Sequence, residues 1–332
     1  MLLYLCAQRC VPIKMIEFTV DADSAGMRLD KFLRKKLERV PVSHLFKMIR
    51  TKRVRVNAKR AYPQQALQAG DAIVVRGTEE QLLGPPAPRN RAPAVDVSGL
   101  KVLMEDGWMM AVDKPSGLAV HAGSGIAGPT LVDQVRAYLG VHAIRNDFAA
   151  SPAHRLDRDT SGVVLVAKRR PAMVRFTALF TQGRVGKRYI ALAKGKMPRS
   201  RGIIDVPLSE HQQTAASKAL HGVKMQPAIT RYRVLSQTKD ASFLECQIET
   251  GRTHQIRRHL AAVGHPVAGD RRYGDFSFNR EAKARWGLRR LFLHAQQIEF
   301  PHPEHGANVC VSAELPAELE DVMKRAGLKS DA

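Results

Sequence analysis

The chain has 332 residues, 44% of them hydrophobic, enough to bury a sizeable core in roughly two domains. Its 53 Lys and Arg stand against 31 Asp and Glu, a formal charge of +22 that a polyanion would complement. No apolar run approaches the ~18–20 residues that span a bilayer, which speaks against a membrane partner, and the four cysteines (Cys6, Cys10, Cys246, Cys310) form no C-x-x-C pair and read as free thiols of a reducing cytoplasm.

Residues 1–14 lack the basic leader and long apolar centre of a signal peptide. They are expected to be a disordered extension, with Met15 an alternative start. Ile16–Val20 is strand-like. Leu29, Phe32, Leu33 and Leu37 then recur at helical spacing, with Lys31, Arg34, Lys35 and Lys36 between them. Pro41 breaks the pattern, and Ser43 is the expected N-cap of a second helix carrying Leu45, Met48 and Ile49. Arg53–Asn57 alternates basic and apolar residues, and Gly70-Asp71 turns into a strand over Ala72–Arg76. Residues 15–77 thus read as a small α+β unit. Between Arg28 and Arg60, 13 Lys or Arg meet two acids, an excess of +11, half the total in about a tenth of the chain. Such density fits phosphate neutralisation; an ordinary charged helical hairpin is the plainer alternative.

Pro85, Pro86, Pro88 and Pro93 mark residues 78–98 as a stiff linker. In the remaining domain, 99–328, Val163–Ala167, Tyr189–Ala193 and Phe243–Ile248 read as strands and Pro171–Phe180 as a helix. Without regular βαβ alternation this predicts an α+β fold, with a largely antiparallel mixed sheet flanked by helices and loops.

The densest chemistry lies in His154-Arg-Leu-Asp-Arg-Asp-Thr-Ser-Gly162, a polar turn entering an apolar strand. Arg155 and Arg158 give its carboxylates the charge partners that covalent or base catalysis needs. On spacing alone a structural turn remains open, since Asp and Ser favour turns. His254 and His259 are five apart and share no helix face, His302 and His305 flank a proline, and no Cys/His spacing suits zinc. No Gly-x-x-x-x-Gly-Lys phosphate loop occurs. Neither metal nor cofactor is expected.

The 154–162 segment resembles the H-R-L-D-x-x-T-S-G signature of the RluA-type pseudouridine synthases at every specified position. The resemblance implies that Asp157 is the essential carboxylate and that Asp159 occupies a variable position. It also implies that Arg155, with His154 and Thr160 beside it, meets the RNA where the target base has left its stack. Lys187-Arg-Tyr189 matches the family's K-x-Y, implying that Tyr189 stacks on the uracil and assists proton removal; plain core packing is the alternative. Thr250–Arg257 is similar to the third motif, which places Arg252 beside Asp157, a phosphate contact being the alternative. Val112–His121 resembles the first motif, a lysine-proline turn, and Leu291–Ala295 fits the pattern of a pocket wall. Arg258 departs from the pattern, because relatives usually carry an apolar residue there.

Arg28–Leu33, Ile49–Asn57 and Ala69–Ile73 look like an RNA-binding module first described in a small-subunit ribosomal protein, which implies RNA contacts for Arg50, Lys52, Arg53 and Arg55. Together the resemblances imply a cofactor-free isomerisation of uridine to pseudouridine. The expected partner is large-subunit ribosomal RNA or a pre-ribosomal particle, and the expected agent is a cytoplasmic monomer. Transfer RNA as substrate, or an idle RNA-binding assembly factor, stay open.

Overall fold

The computed structural model describes residues 14–38, 40–78, 82, 95–122, 128–145, 148–209 and 225–329. The expected extension at 1–14 and linker at 78–98 fall mostly outside these residues. The chain divides into two compact units, one from 1–94 with 144–149, the other from 95–143 with 150–332.

In the first unit β1 (Lys14–Thr19), β2 (Val54–Val56), β3 (Lys59–Arg60) and β4 (Ala72–Gly77) form an antiparallel sheet in the order β1-β4-β2-β3. Helices α1 (Leu29–Lys36) and α2 (Val42–Arg50) bury Leu29, Phe32, Leu33, Leu45, Met48 and Ile49 in one cluster with Val54, Val56, Ile73 and Val75 of the strands. The apolar period seen in the sequence is therefore the core face of each helix. The cap of α2 is Pro41, not Ser43, which lies inside the helix and makes no cap bond. Proline sets the extended entry itself, so no side-chain cap is used. Asn57 and Ala58 both take positive φ (50° and 62°), the backbone of a tight hairpin turn between β2 and β3. A small hairpin of β7 (Ile144–Arg145) and β8 (Phe148–Ala149) also belongs to this unit.

The second unit is built on β5 (Lys101–Glu105), β6 (Met109–Lys114), β10 (Ser161–Ala167), β11 (Gly186–Lys194), β12 (Arg201–Asp205), β15 (Ile229–Gln237), β16 (Ala241–Ile248) and β17 (Leu293–Pro301). Their order is β12-β15-β16-β11-β17-β10-β6-β5, with β9 (Ser151–Pro152) beside β10 and β18 (Asn308–Ser312) beside β17. Short β13 (Leu208–Ser209) and β14 (Met225–Gln226) pair with each other. Pairing is antiparallel except between β10 and β17, which makes the sheet mixed, as the sequence predicts.

Residues of β11 divide by the period of two. Tyr189, Ala191 and Ala193 enter one core cluster; Ile190 and Leu192 enter another with Phe292 and the apolar residues of α6 (Phe276–Trp286) and α7 (Ala317–Arg325). The sheet is thus covered on both faces. Helices α3 (Leu131–Leu139), α4 (Arg170–Thr181) and α5 (Gln255–Ala262) complete the unit. The first face, which carries Tyr189, also receives Leu156, Ile256 and Leu293, and there the sheet opens into a cavity.

Candidate active site

Each residue of the 154–162 segment has an identifiable task. His154 Nε2 accepts the N–H of Leu165 (3.1 Å), so the ring is neutral at that nitrogen, and burial, with Lys187 nearby, lowers its pKa to about 4. Its ring lies 5.3 Å from that of Phe180. Leu156 is buried, anchoring the turn, while Arg155 stays exposed at the cavity. Asp157 follows, partly exposed to the cavity, and its carbonyl accepts the N–H of buried Thr160. Ser161 Oγ accepts from Arg290 (2.6 Å) and meets His294 Nδ1 (2.9 Å). Gly162 sits at φ +116°, where a Cβ would lie 2.2 Å from the Ala295 carbonyl oxygen, so only glycine lets β10 and β17 run this close.

The lysine-proline turn clamps this loop from the other side. Lys114 is fully buried, and its ammonium donates to the carbonyls of Pro115 (2.9 Å), Leu118 (2.8 Å) and Arg158 (3.0 Å). Burial and the charge of Arg290 lower its pKa to about 7, against the pull of Asp159, Asp157 and Asp113. Gly117 N–H also donates to the Arg158 carbonyl, and Ser116 Oγ to that of Asp159. The motif positions the Asp157 turn by its backbone.

The guanidinium on Asp157 is that of Arg257, not Arg252. Arg257 Nη1 donates to Asp157 Oδ2 (3.1 Å), while Nε and Nη2 grip Asp270 (2.7 and 2.9 Å). Arg252 is exposed at the cavity rim, with Nε turned to the Pro227 carbonyl (3.2 Å). The reason lies in the turn. Gln255 Oε1 accepts from Thr250 Oγ1 and Arg252 N, and its Nε2 donates to Ile229 O and Thr230 Oγ1. This fixes 250–254 as the entry to α5 and leaves Arg257 on the helix's buried first turn. Burial alone would raise the pKa of Asp270, whose side chain has no exposure, but Arg257 and the N–H groups of Arg272 and Tyr273 outweigh it and hold the carboxyl below its usual range. Both carboxylates in turn hold Arg257 above its ordinary value against its own burial. The result is a rigid Asp270–Arg257–Asp157 relay.

His254 completes the surround. It takes left-handed φ (+53°), places Nε2 3.6 Å from Asp157 Oδ1, and bonds Tyr273 Oη through Nδ1 (3.0 Å). Burial lowers its pKa, with Arg257 and Arg272 acting the same way and Asp157 and Asp270 opposing. Tyr189 is buried on β11, at a shift of register between Arg188 and Ile190 against β17, and lines the same cavity as Asp157. Burial, then the charge of Asp157, raises its hydroxyl pKa. Lys187, lowered by burial, lies 5.9 Å from the Phe180 ring.

The cavity holds about 640 Å³, within the range of small-ligand sites. Ile248, Ile256, Leu293, Phe180 and Tyr189 supply apolar and aromatic wall; Asp157 and Glu249 are the carboxylates that line it, Glu249 being paired with Arg231; Arg155, Arg252 and Lys187 supply cations. It suits a planar, polar ring joined to an anionic backbone. Arg258, the departure from the family pattern, donates to Ser209 O (3.2 Å) and Oγ (2.8 Å), so its head group is hydrogen-bonded to β13. Sequence reasoning left Arg257, Asp270, His254 and the clamp of Lys114 without roles, although Arg257, His254 and Lys114 lie in segments it singled out.

In the first unit Arg50 lines a shallow concavity of about 440 Å³ with Lys47, Arg60 and the exposed rings of Phe46 and Tyr62. Lys52, Arg53 and Arg55 are exposed as well; Arg55 Nη1 donates to the Ala58 carbonyl.

A family model described as RNA pseudouridylate synthase matches residues 109–262, and an S4 domain model matches residues 27–73. The chain belongs to the RNA pseudouridylate synthase family and is an isomerase that makes pseudouridine in RNA. Among its relatives, ribosomal large subunit pseudouridine synthase C of Vibrio cholerae serotype O1 is 36% identical over 313 residues, 92% of this chain and 95% of that one. The protein of the same name from Escherichia coli K12 is 36% identical over 321 residues, 94% and 96% of the two chains. The solved structure of human RNA pseudouridylate synthase domain containing 4 overlays with a TM-score of 0.57 at 26% identity, covering 69% of this chain and 94% of that one. Among the described residues no helix is long and apolar enough to cross a membrane.

Proposed function

We propose that this chain converts specific uridines of large-subunit ribosomal RNA, free or in a pre-ribosomal particle, to pseudouridine, with Asp157 as the catalytic carboxylate. One observation carries the assignment of the carboxylate: Asp157 faces a cavity walled by Tyr189 while its other side is fixed by Arg257. The substrate assignment draws on relatives so named that align along nearly the whole chain.

The reaction breaks the bond from ribose C1′ to N1 and makes one from C1′ to C5; C5 loses its proton and N1 gains one, so the product is an isomer. Nothing is oxidised and no group is added, so the balance needs no cofactor. A uridine inside a duplex must leave its stack to reach Asp157, at a few kcal/mol, less from a loop. Arg155, with His154 and Thr160 behind it, holds the strand where the base has left. Tyr189 stacks on the uracil, and the apolar wall keeps the detached base from escaping while it turns. A carboxylate so placed serves attack on the sugar or ring and abstraction of a sugar proton alike. Arg257 orients it for either. Arg252 contacts phosphate at the rim. The basic residues Arg50, Lys52, Arg53 and Arg55 grip RNA from the first unit. The proposed agent is a cytoplasmic monomer; Cys246 and Cys310, free among the described residues, fit a reducing compartment.

The test is chemical mapping of pseudouridine in ribosomal RNA treated with Asp157→Asn and Asp159→Asn. The two changes remove one negative charge from the same turn. Asp157→Asn is expected to give no product where wild type finishes, and Asp159→Asn to stay active. Equal loss in both would show that the carboxylate is misplaced, and product in transfer RNA alone would redirect the substrate.

A further inference from the structure

A second concavity of the catalytic unit, about 760 Å³, is lined by Arg271, Phe276, Arg280, Lys283 and Arg289, over Gly269, Asn279 and Leu288. All five of the first-named side chains are exposed, Phe276 by 65%. Phe276, Arg280 and Lys283 stand at i, i+4 and i+7 on one face of α6, whose opposite face buries Phe278, Ala282 and Trp286. Among the described residues none of the four cationic side chains has a hydrogen bond, ion pair or ring contact.

The nearby carboxylates are all engaged elsewhere. Asp270 holds Arg257, Asp275 caps α6 and pairs with Lys194, and Glu281 pairs with Arg285 on another face of the helix. Among the described residues no acid lines the groove. Four uncompensated charges around one exposed ring repel one another, a cost that an anionic partner would remove. They suit a nucleic-acid strand that offers phosphates and a bare base together. A duplex offers phosphates but keeps its base faces stacked, whereas an unpaired strand offers both.

We propose that this groove docks an unpaired segment of the RNA substrate, its phosphates on Arg271, Arg280, Lys283 and Arg289 and one base stacked on Phe276. The proposal rests on the RNA-modifying activity and deepens it. The loop carrying Arg271 also carries Asp270, so the groove and the Asp157 relay share one short segment of backbone. A strand held here is therefore registered against the target uridine by residues 269–273 rather than by the first unit.

The experiment measures affinity for a single-stranded RNA oligonucleotide against salt, using the full chain. Arg280→Ala/Lys283→Ala removes two phosphate contacts and is expected to lower the log–log salt slope by about 1.4, at roughly 0.7 for each contact on a single strand. Arg289→Ala, outside the helix, should lower it by about 0.7 and so separates lost contacts from a damaged α6. Phe276→Ala should weaken binding about tenfold with the slope unchanged, the signature of lost stacking. Arg285→Ala, already ion-paired with Asp240 and Glu281, should leave the slope as in wild type. Unchanged slopes in both Arg280→Ala/Lys283→Ala and Arg289→Ala overturn the proposal. So does a duplex competitor that displaces the strand as well as an unpaired one. Because the readout is binding, a wild type that makes no pseudouridine in ribosomal RNA would count against the substrate assignment alone.

Discussion

Arg257→Lys isolates the relay. The guanidinium makes three bonds at 2.7, 2.9 and 3.1 Å to two carboxylates on opposite sides. A single ammonium on a shorter reach serves one of them. If it stays with Asp270, whose side chain has no exposure, Asp157 loses its anchor. If it moves to Asp157, a buried carboxylate is left alone, and breaking such a pair costs about 3–5 kcal/mol. At about 2–4 °C per kcal/mol for a unit this size, the second case lowers Tm by about 6–20 °C. In the first case Asp157 loses one charge-assisted bond, about 1.5–3 kcal/mol, which slows single-turnover pseudouridine formation about 10- to 150-fold. Scanning calorimetry and a single-turnover assay on saturating RNA read the two effects. Arg252→Lys, at an exposed position, should stay within about 0.5 kcal/mol in stability. A stable, fully active Arg257→Lys, or a rate loss confined to Arg252→Lys, would show that the observed ion pair has no bearing on the chemistry.

Tyr189→Phe keeps the ring and removes the hydroxyl, so RNA affinity should hold while turnover falls; full single-turnover activity would leave Tyr189 a packing residue. Gly162→Ala forces a Cβ into the Ala295 carbonyl and strains a positive φ, so β10 and β17 should separate, read as faster proteolysis near residue 162 and lost activity. His294 is fully buried, its pKa lowered to about 4 by burial, with Arg290 and Lys101 adding and the Ala313 carbonyl opposing. Unfolded, the imidazole titrates near 6.5, so between those values the unfolded chain binds a proton that the folded one does not. Stability should therefore fall as pH drops through roughly 6.5 to 4, by up to about 3 kcal/mol, and His294→Gln should flatten that limb of a denaturation series.

Asp157 and Tyr189 were legible because a dense signature fixes residue types within a few positions of each, and the structure brings both to one cavity. The helices α1, α2 and α4 and strands β10, β11 and β16 were legible from period alone, since each buries a continuous face or run. The Arg252 assignment shows where local reading stops. Two arginines share one motif, and what selects between them is Asp270, 13 residues beyond Arg257. Ser161 and Gly162 read as the end of a turn, yet they begin β10 because His294 and Ala295 pair with them from 133 residues away. Lys114 reads as part of a turn; that it is a buried clamp depends on the Arg158 carbonyl, 44 residues on. Spacing within a motif records local geometry, and long-range partners leave no local trace.

That parallel contact between β10 and β17 ties the catalytic turn to chain completion. Ser161 is held by Arg290 and His294, and Gly162 lies against Ala295. During synthesis domains form from the N-terminus onward. The S4 domain, complete by about residue 77, emerges long before residue 295 exists. A nascent or prematurely ended chain thus presents its RNA-binding face while the Asp157 turn still lacks one wall, so it can hold RNA before it can modify it. Truncation products ending before residue 290 would then act as competitors of the full enzyme on its own substrate rather than as weak enzymes.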